Sequence, residues 1–177
     1  MLSLRPTMLS DLDYVVGCET DPANLPFITP WDRTQHEGAV RFPDFRHFIV
    51  EADGHAPGSG GRDGFVILQG CRNPHRSVEL KRLVLQQKGR GLGRACVRQL
   101  KRMAFRDLHA HRFWLDVKSL NTRALALYAS EGFVEEGRLR ESVRVFSDPA
   151  DGYDTLVVMG LLDREYQARV ALGLEAI

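Results

Sequence analysis

The sequence has few of the residues and segments that would indicate secretion, membrane insertion or a structural metal. Only three of its 177 residues are cysteines, and the spacing of Cys18, Cys71 and Cys96 fits neither a zinc site nor a disulfide framework. No apolar run approaches the roughly 20 residues that cross a bilayer. The first residues also lack the charged and then apolar pattern of a signal peptide. We therefore expect a cytoplasmic protein with no membrane partner.

The chain also lacks an excess of charge of one sign. Its 24 Lys and Arg residues nearly balance 23 Asp and Glu residues, which gives a formal net charge of +1, so nucleic acid is not expected as a partner. The 44% hydrophobic and 27% charged content is typical of one globular domain, which we take to span residues 1–177. His109 and His111 alternate as strand residues do without a third ligand, and we assign no metal.

The most informative segment is a basic, glycine-rich turn between an apolar run and a predicted helix, LVLQQKGRGLGRA at residues 83–95. Its glycines let the backbone approach a ligand closely, and the following helix adds unpaired N–H groups and the positive end of its dipole. The spacing misses both the dinucleotide fingerprint and the P-loop. The segment therefore predicts a phosphate or pyrophosphate site of another kind. The residues of this predicted site are Lys88, Gly89, Arg90, Gly91, Leu92, Gly93 and Arg94.

A second segment, NTRALALYASEGF at residues 121–133, follows in the chain. The two segments together resemble the paired motifs of the GNAT superfamily, the acyl-CoA-dependent N-acyltransferases. When the first segment is aligned with the family motif, Lys88 stands where the family usually has Arg or Gln. Within the family, the segments 79–93 and 127–142 are most similar to the Rim-type branch. A different nucleotide in the turn is an alternative, but it would leave residues 121–133 unexplained.

The apolar patterns predict the order β-α-α-β-β-β-α-β-α-β-β, with strands at Ser77–Leu85 and Arg112–Lys118 and helices that begin near Leu92 and after Asn121. This is a mixed α/β chain. It agrees with the fold that the resemblance implies, a single domain whose central, mostly antiparallel sheet of about seven strands is flanked by helices.

The resemblance implies acetyl-CoA as the co-substrate and assigns further contacts to it. The pyrophosphate would bind the turn, while the strand before the turn would pair with the pantetheine arm and offer a backbone N–H near Leu85 to the thioester oxygen. The coenzyme contacts implied outside the turn are Leu83, Val84, Leu85, Asn121, Ala124 and Tyr128.

Two side chains are candidates for catalysis. Tyr128 could donate a hydrogen bond to the departing thiolate, although a tyrosine on an apolar helix face is also a common core residue. Glu79 lies where family members often have a general base, although it could simply pair with Lys81 on the same strand face. Asp116 and Ser119 are lesser candidates for the base.

The predicted reaction is direct attack of a primary amine on acetyl-CoA, and the amine is left open between a protein N-terminus, an amino acid and a small amine. Phe27 and Trp31, in a proline-rich segment, could contact this substrate or cover the core instead. One alternative is a polyamine acetyltransferase, whose acceptor could be held by Asp11, Asp13, Glu19 and Asp21. The other is a non-catalytic acyl-CoA-binding regulatory module. The protein could form a homodimer.

Overall fold

A computed structural model describes residues 2–54, 60–146 and 152–175. Seven strands in these ranges form one sheet in the order β1-β2-β3-β4-β5-β7-β6, and β4 and β5 are the one parallel pair. The strands are β1 (Leu2–Pro6), β2 (Arg46–Ala52), β3 (Arg62–Gln69), β4 (Ser77–Leu85), β5 (Arg112–Lys118), β6 (Val134–Arg144) and β7 (Tyr153–Leu162).

In the same ranges, five α-helices connect or follow the strands. A five-residue π-helical segment at Met103–Asp107 extends the third helix, and single 3₁₀ turns lie at Leu9–Asp11 and Leu25–Phe27. No helix in the described part of the chain is long and apolar enough to span a bilayer. The helices are α1 (Leu12–Thr20), α2 (Arg33–Arg41), α3 (Leu92–Arg102), α4 (Thr122–Ser130) and α5 (Asp163–Ala171).

The sheet has a core on each face because successive side chains of a strand point to opposite sides. On β3, Phe65 and Ile67 pack with residues of α1, whereas Val66 and Leu68 pack with residues of α3, α4 and α5. All four side chains are fully buried. The run Phe65–Leu68 is therefore apolar without alternation, as expected for a strand covered on both faces.

The predicted fold class and the order of elements are confirmed. The predicted strands Ser77–Leu85 and Arg112–Lys118 have the same bounds in the structure, and α3 begins at Leu92 as expected. Asn121 caps α4, since its side-chain oxygen accepts a hydrogen bond from the N–H of Ala124 at 3.2 Å.

The parallel pair β4–β5 is hydrogen-bonded over only a short length. Its register comprises Ser77↔Arg112, Val78↔Phe113 and Glu79↔Trp114. Beyond these pairs β4 continues to Leu85 and β5 to Lys118 without pairing to each other. One edge of β4 is therefore open to a ligand at the centre of the sheet.

We predict that Gly132→Ala destabilises the protein by about 1–2 kcal/mol. Gly132 follows α4 with φ +97°, and an added Cβ would lie 2.8 Å from Cδ of Arg169. Gly17→Ala is the matched control, since Gly17 lies within α1 and its added Cβ would meet no atom within 4 Å. The control should be neutral or stabilising. Urea denaturation measures both, and an unchanged midpoint for Gly132→Ala would contradict this account of the α4 terminus.

Candidate active site

The turn between β4 and α3 depends on two glycines with left-handed backbone conformations. Gly89 has φ +90° and Gly91, the N-cap of α3, has φ +78°. L-amino acids with a side chain rarely adopt these values. The turn thus brings the first N–H groups of α3 and the positive end of its dipole to the surface beside the open edge of β4.

A cavity of about 620 Å³, which we call the turn cavity, lies between this turn, β4 and α4. Among the residues that the structure describes, its lining contains three cationic side chains, Lys88, Arg94 and Arg123, and no carboxylate. Apolar side chains of β4 and α4 form much of the rest. The cavity therefore offers positive charge at one end and apolar surface beside it, as a phosphate-bearing ligand with a long arm requires. The lining is Asn24, Phe27, Ile28, Leu83, Val84, Leu85, Gln87, Lys88, Gly89, Gly91, Leu92, Gly93, Arg94, Asn121, Arg123, Ala124, Ala126, Leu127, Tyr128 and Ser130.

Two of the three cations, Lys88 and Arg94, are held at the cavity by different contacts. Lys88 donates a hydrogen bond to the carbonyl of Ala23 at 2.8 Å, and desolvation followed by the nearby charge of Arg123 lowers its pKa. Arg94 donates to the carboxylate of Glu131 at 2.5 Å. Mutual repulsion between neighbouring cations is relieved by an anion, so this cluster favours a phosphate ligand.

Arg90 was expected among the phosphate ligands, but its side chain does not line the turn cavity. Its guanidinium donates instead to the backbone carbonyls of Asp53 and Gly54, at 2.8 Å each, and to Gln87. It also lies 4.0 Å from the buried carboxylate of Asp63. These contacts tie the turn to the end of β2, so the Arg90 side chain has a structural position outside the turn cavity, and we no longer expect it to contact the phosphate.

The open edge of β4 presents specific backbone groups to the cavity. The N–H of Gln86 donates to the carbonyl of Asp63 across the β3–β4 pair at 2.9 Å. In an antiparallel ladder, bonded and non-bonded residues alternate. The N–H groups of Leu83 and Leu85 consequently point away from β3, toward the side where β5 no longer pairs. They are available to hydrogen-bond a ligand arm or a carbonyl oxygen.

The start of α4 is fixed by a carboxylate from the neighbouring strand β7. Asp154, which is buried, accepts hydrogen bonds from the Ser119 hydroxyl at 2.5 Å and from the N–H of Leu120 at 3.3 Å. This loop leads into Asn121, which lines the turn cavity. Ser119, considered earlier as a base, is therefore occupied in holding the loop.

Tyr128 lies on α4 where the turn cavity meets the core. Its ring packs against Phe133 with centroids 5.8 Å apart, and the residue is buried. Burial, followed by the nearby Cys96, raises the pKa of its phenol. The hydroxyl therefore stays protonated over the physiological range and can serve as a hydrogen-bond donor. The structural and the catalytic interpretations of Tyr128 are compatible, since it borders both core and cavity.

Glu79 does not line the turn cavity. It lies in a second cavity of about 410 Å³, which we call the Glu79 cavity. Burial is the main cause that raises the pKa of Glu79, and the charge of Asp116 adds to the rise. Lys81 opposes it, since its Nζ donates a hydrogen bond to Oε1 of Glu79 at 3.2 Å. The two catalytic candidates thus face different cavities. The Glu79 cavity is lined by Asp44, Gln69, Gly70, Asn73, Ser77, Glu79, Arg112, Trp114 and Val158.

The two aromatic residues expected to contact the acceptor occupy other positions. Phe27 lines the turn cavity, where the ammonium of Lys88 lies 5.7 Å from its ring centroid. Trp31 packs against His36 and Phe45, with centroids 5.4 and 6.4 Å away, and belongs to the core on the α1 side. For Trp31 the core-covering alternative is therefore the one that the structure supports.

The four acidic residues considered for a polyamine pocket have partners elsewhere. Asp11 pairs with Arg5 at 2.9 Å, and Asp13 pairs with Arg33. Glu19 is fully buried against Arg82 at 2.9 Å and His36 at 3.3 Å. Asp21 accepts from the N–H of Ala23. Since these contacts stabilise α1 and its surroundings, we no longer expect the group to hold the ammonium groups of a substrate.

Several lining residues of the turn cavity were missed from the sequence. Arg123 could have been found from the sequence, since it is a cation at the start of the helix of the second motif. In the structure its charge faces the turn, and its nearest guanidinium nitrogen would lie 3.9 Å from a Cβ placed on Gly89. The others have no distinctive residue type or spacing. They are Asn24, Ile28, Gln87, Ala126, Leu127 and Ser130. Within the described ranges no three His, Cys, Asp or Glu residues are grouped as metal ligands.

Comparison with known sequences gives a family match and several relatives. The sequence model of the acetyltransferase (GNAT) family matches residues 18–133. Spermidine N(1)-acetyltransferase of Escherichia coli K12 is 26% identical over 149 residues, which cover 78% of this chain and 75% of that protein. The enzyme of the same name from Vibrio cholerae is 35% identical over 79 residues, or 44% of this chain and 46% of that one.

Comparison with solved structures gives the same fold. Spermidine N-acetyltransferase from Vibrio cholerae in complex with CoA and spermine aligns with a TM-score of 0.78 at 24% identity, covering 94% of this chain and 98% of that chain. A dodecameric structure of that enzyme in an intermediate state aligns with a TM-score of 0.76 at 24% identity, covering 95% and 97%. At this identity the likeness shows the shared fold.

We predict that Arg123→Ala weakens acetyl-CoA binding about tenfold, whereas Arg90→Ala leaves the affinity within about threefold. Both variants remove one arginine near the turn, but only Arg123 lines the turn cavity. Arg90→Ala should instead lower the melting temperature, because it removes the bonds to Asp53 and Gly54. Calorimetric titration with acetyl-CoA and thermal melts of both variants make the comparison. Equal losses of affinity would contradict the assignment of the two arginines.

Proposed function

The chain belongs to the acetyltransferase (GNAT) family, and on that basis we propose that it acetylates a polyamine of the spermidine type. The family match and the relatives make it an acetyl-CoA-dependent N-acetyltransferase, as expected from the two motifs, rather than a non-catalytic module. The finer prediction of the Rim-type branch has no support among these relatives, whose names specify spermidine.

The residues of the turn cavity fit a coenzyme A thioester. In the proposed complex the pyrophosphate binds the N–H groups of the turn and the cations Lys88, Arg94 and Arg123. The pantetheine arm lies along the open edge of β4, where the N–H groups of Leu83 and Leu85 are available. Asn121 and Ala124 at the start of α4 border the same space. An anionic head and an amide-bearing arm match these donors in chemistry and order.

The observation that carries the choice of acceptor is the buried carboxylate of Glu79. An amine with a pKa of about 10.4 must lose a proton before it attacks, which costs roughly 4–5 kcal/mol at pH 7. A carboxylate whose pKa is raised by burial is a stronger base than an exposed one. A protein N-terminal amine, with a pKa near 7.8, has much less need of such a base. Glu79 therefore favours a high-pKa amine.

The Glu79 cavity has further features that suit a polycation. Asp44 supplies a second negative charge to its lining and also accepts from the N–H groups of Gly70 and Arg72. Arg112, the one cationic residue among the described lining residues, is paired with Glu136. Trp114 provides an aromatic wall. A linear polyamine needs carboxylates for its ammonium groups and apolar surface for its methylenes, and this lining offers both.

In the proposed reaction Glu79 accepts the proton of the amine, whose nitrogen attacks the thioester carbonyl carbon. The C–S bond of the tetrahedral adduct then breaks, the coenzyme leaves as a thiolate, and the proton that remains on the attacking nitrogen passes to this sulfur, directly or through solvent. A backbone N–H of the open β4 edge stabilises the oxyanion, and Tyr128 donates a hydrogen bond to the thiolate. Because burial raises the pKa of Tyr128, full proton transfer to a thiolate of pKa about 8.5 is unfavourable. No covalent enzyme intermediate is required.

Self-association is also part of the proposal. Strand β6 is at the edge of the sheet, and nearly all of its residues are exposed. Val134 and Leu139 on this strand and Tyr153 on β7 are among the exposed large apolar residues. Exposed large apolar side chains beside an available sheet edge favour contact with a partner, so we propose a homo-oligomer that uses the β6–β7 hairpin.

An acceptor panel tests the proposed function. We expect spermidine or spermine to be acetylated with a kcat/KM at least about tenfold above that of an alanine-terminated peptide, lysine or a monoamine of equal length. Thiol release gives the rate, and mass spectrometry of the product identifies the acetylated amine. Preferential acetylation of the peptide would contradict the choice of a polyamine and favour the N-terminal amine.

We predict that Glu79→Gln lowers kcat/KM for the polyamine about 100-fold at pH 7 and less at pH 9.5, where more of the acceptor is neutral. In the wild type kcat/KM should rise with pH, and because burial raises the pKa of Glu79, the acid limb lies above pH 4.5.

Stability provides the control for this variant. Above the raised pKa of Glu79 the ionised buried carboxylate opposes folding, so the neutral amide should leave the melting temperature unchanged or higher. If the melting temperature falls by several degrees, the rate loss reflects disruption of the folded structure and not the loss of a base. A rate loss that is the same at both pH values would contradict the role of Glu79 as the base.

A further inference from the structure

Glu131, at the C-terminal end of α4, is fully buried and accepts from three cationic side chains of α3. Its Oε1 accepts from Arg94 at 2.5 Å, Oε2 accepts from Lys101 at 3.0 Å, and Arg98 lies 3.1–3.2 Å from both oxygens. Burial alone would raise the pKa of Glu131, but the three cations together lower it. The carboxylate is therefore ionised at neutral pH and joins α3 to α4 beside the turn cavity.

The buried lysine in this cluster has a second carboxylate. Lys101 is fully buried, and its ammonium contacts Glu175 as well as Glu131. Glu175 also accepts from Arg169 of α5 at 2.7 Å. The two carboxylates share Lys101 but differ in their other neighbours. Glu131 also contacts Arg94, whereas Glu175 also contacts Arg169 and no described residue that lines the turn cavity.

Arg94 is the member of the cluster that borders the turn cavity, and its side chain is 46% exposed. It uses one nitrogen, Nη1, for Glu131, and within the described ranges its other N–H donors have no hydrogen bond. A guanidinium has five N–H donors in a rigid plane. Anchoring Nη1 of that group on a buried carboxylate restricts its orientation and leaves the remaining donors for an anion.

We propose that Glu131 is a positioning residue that fixes the guanidinium of Arg94 at the turn cavity, where it binds a phosphate group of the coenzyme. This proposal rests on the proposed coenzyme site, but not on the proposed acceptor. A long arginine side chain that is free to move loses rotamer freedom when it binds. Glu131 removes most of this loss before the coenzyme arrives, and it does so without touching the ligand.

The test compares Glu131→Gln with Glu175→Gln in the full-length protein. Each substitution removes one carboxylate from the buried Lys101, so both should lower the melting temperature. Only Glu131→Gln removes the charged partner of Arg94. Calorimetric titration with acetyl-CoA should show affinity about tenfold weaker for Glu131→Gln, or about 1.4 kcal/mol, and close to wild type for Glu175→Gln.

Acetyl-pantetheine, which has no phosphate, separates positioning from a general loss of structure. It should serve as acetyl donor for the wild type and for Glu131→Gln with the same KM, because this donor has no phosphate for Arg94 to bind. In addition, Arg94→Gln should weaken acetyl-CoA binding, and adding Glu131→Gln to it should cause no further loss.

Three results would overturn the proposal: equal acetyl-CoA affinity in wild type and Glu131→Gln, equal losses in Glu131→Gln and Glu175→Gln, or additive losses in the double variant. If Glu131→Gln does not fold, Glu131→Asp replaces it, since the shorter carboxylate keeps the charge for Lys101 and withdraws from Arg94. A wild type that does not bind acetyl-CoA would instead overturn the proposed coenzyme site itself, whatever the variants do.

Discussion

The structure of this protein depends on the point at which β4 and β5 stop pairing. Parallel strands in the middle of a sheet normally satisfy each other's backbone groups along their whole length. Here the pairing ends at Glu79 and Trp114, with six residues of β4 still to come. The open edge that results lies between two covered faces of the sheet. A ligand that pairs with it is held by the backbone, and Glu79 stands at the point where the strands part.

Charge then decides what each end of this opening can bind. Within the described part of the chain, the turn cavity has three cations and no carboxylate in its lining, whereas the Glu79 cavity has two carboxylates and one cation that is already paired. Two ligands of opposite charge can therefore approach the same central strand from separate cavities. This arrangement suits the transfer of an acyl group from an anionic carrier to a cationic amine, and it keeps the two ligands from competing for one site.

The helices and strands were largely predictable from the sequence, because apolar periodicity and helix caps are local signals, whereas the central sheet of about seven strands was implied by the resemblance to the GNAT superfamily. The glycine turn was also predictable, since positive φ values at Gly89 and Gly91 require glycine. The partners of charged side chains were not. Arg90 and Arg94 were both predicted to contact phosphate, yet Arg90 binds carbonyls at the end of β2, while Arg94 and Arg98 bind Glu131. Lys101 falls on the same helical face as Arg94 and Arg98, and a lysine is normally exposed to solvent. Its burial could not be predicted because the two carboxylates that pair with it, Glu131 and Glu175, are distant in sequence.

Amide hydrogen exchange along β4, with and without acetyl-CoA, tests the central claim most directly. Without ligand, the N–H groups of Leu83 and Leu85 have no partner in the sheet and should exchange much faster than that of Val84, which faces β3. Acetyl-CoA should slow the exchange of Leu83 and Leu85 selectively. Protection that appears only in the turn, with these two amides unchanged, would contradict the claim that the coenzyme arm occupies the opening between β4 and β5.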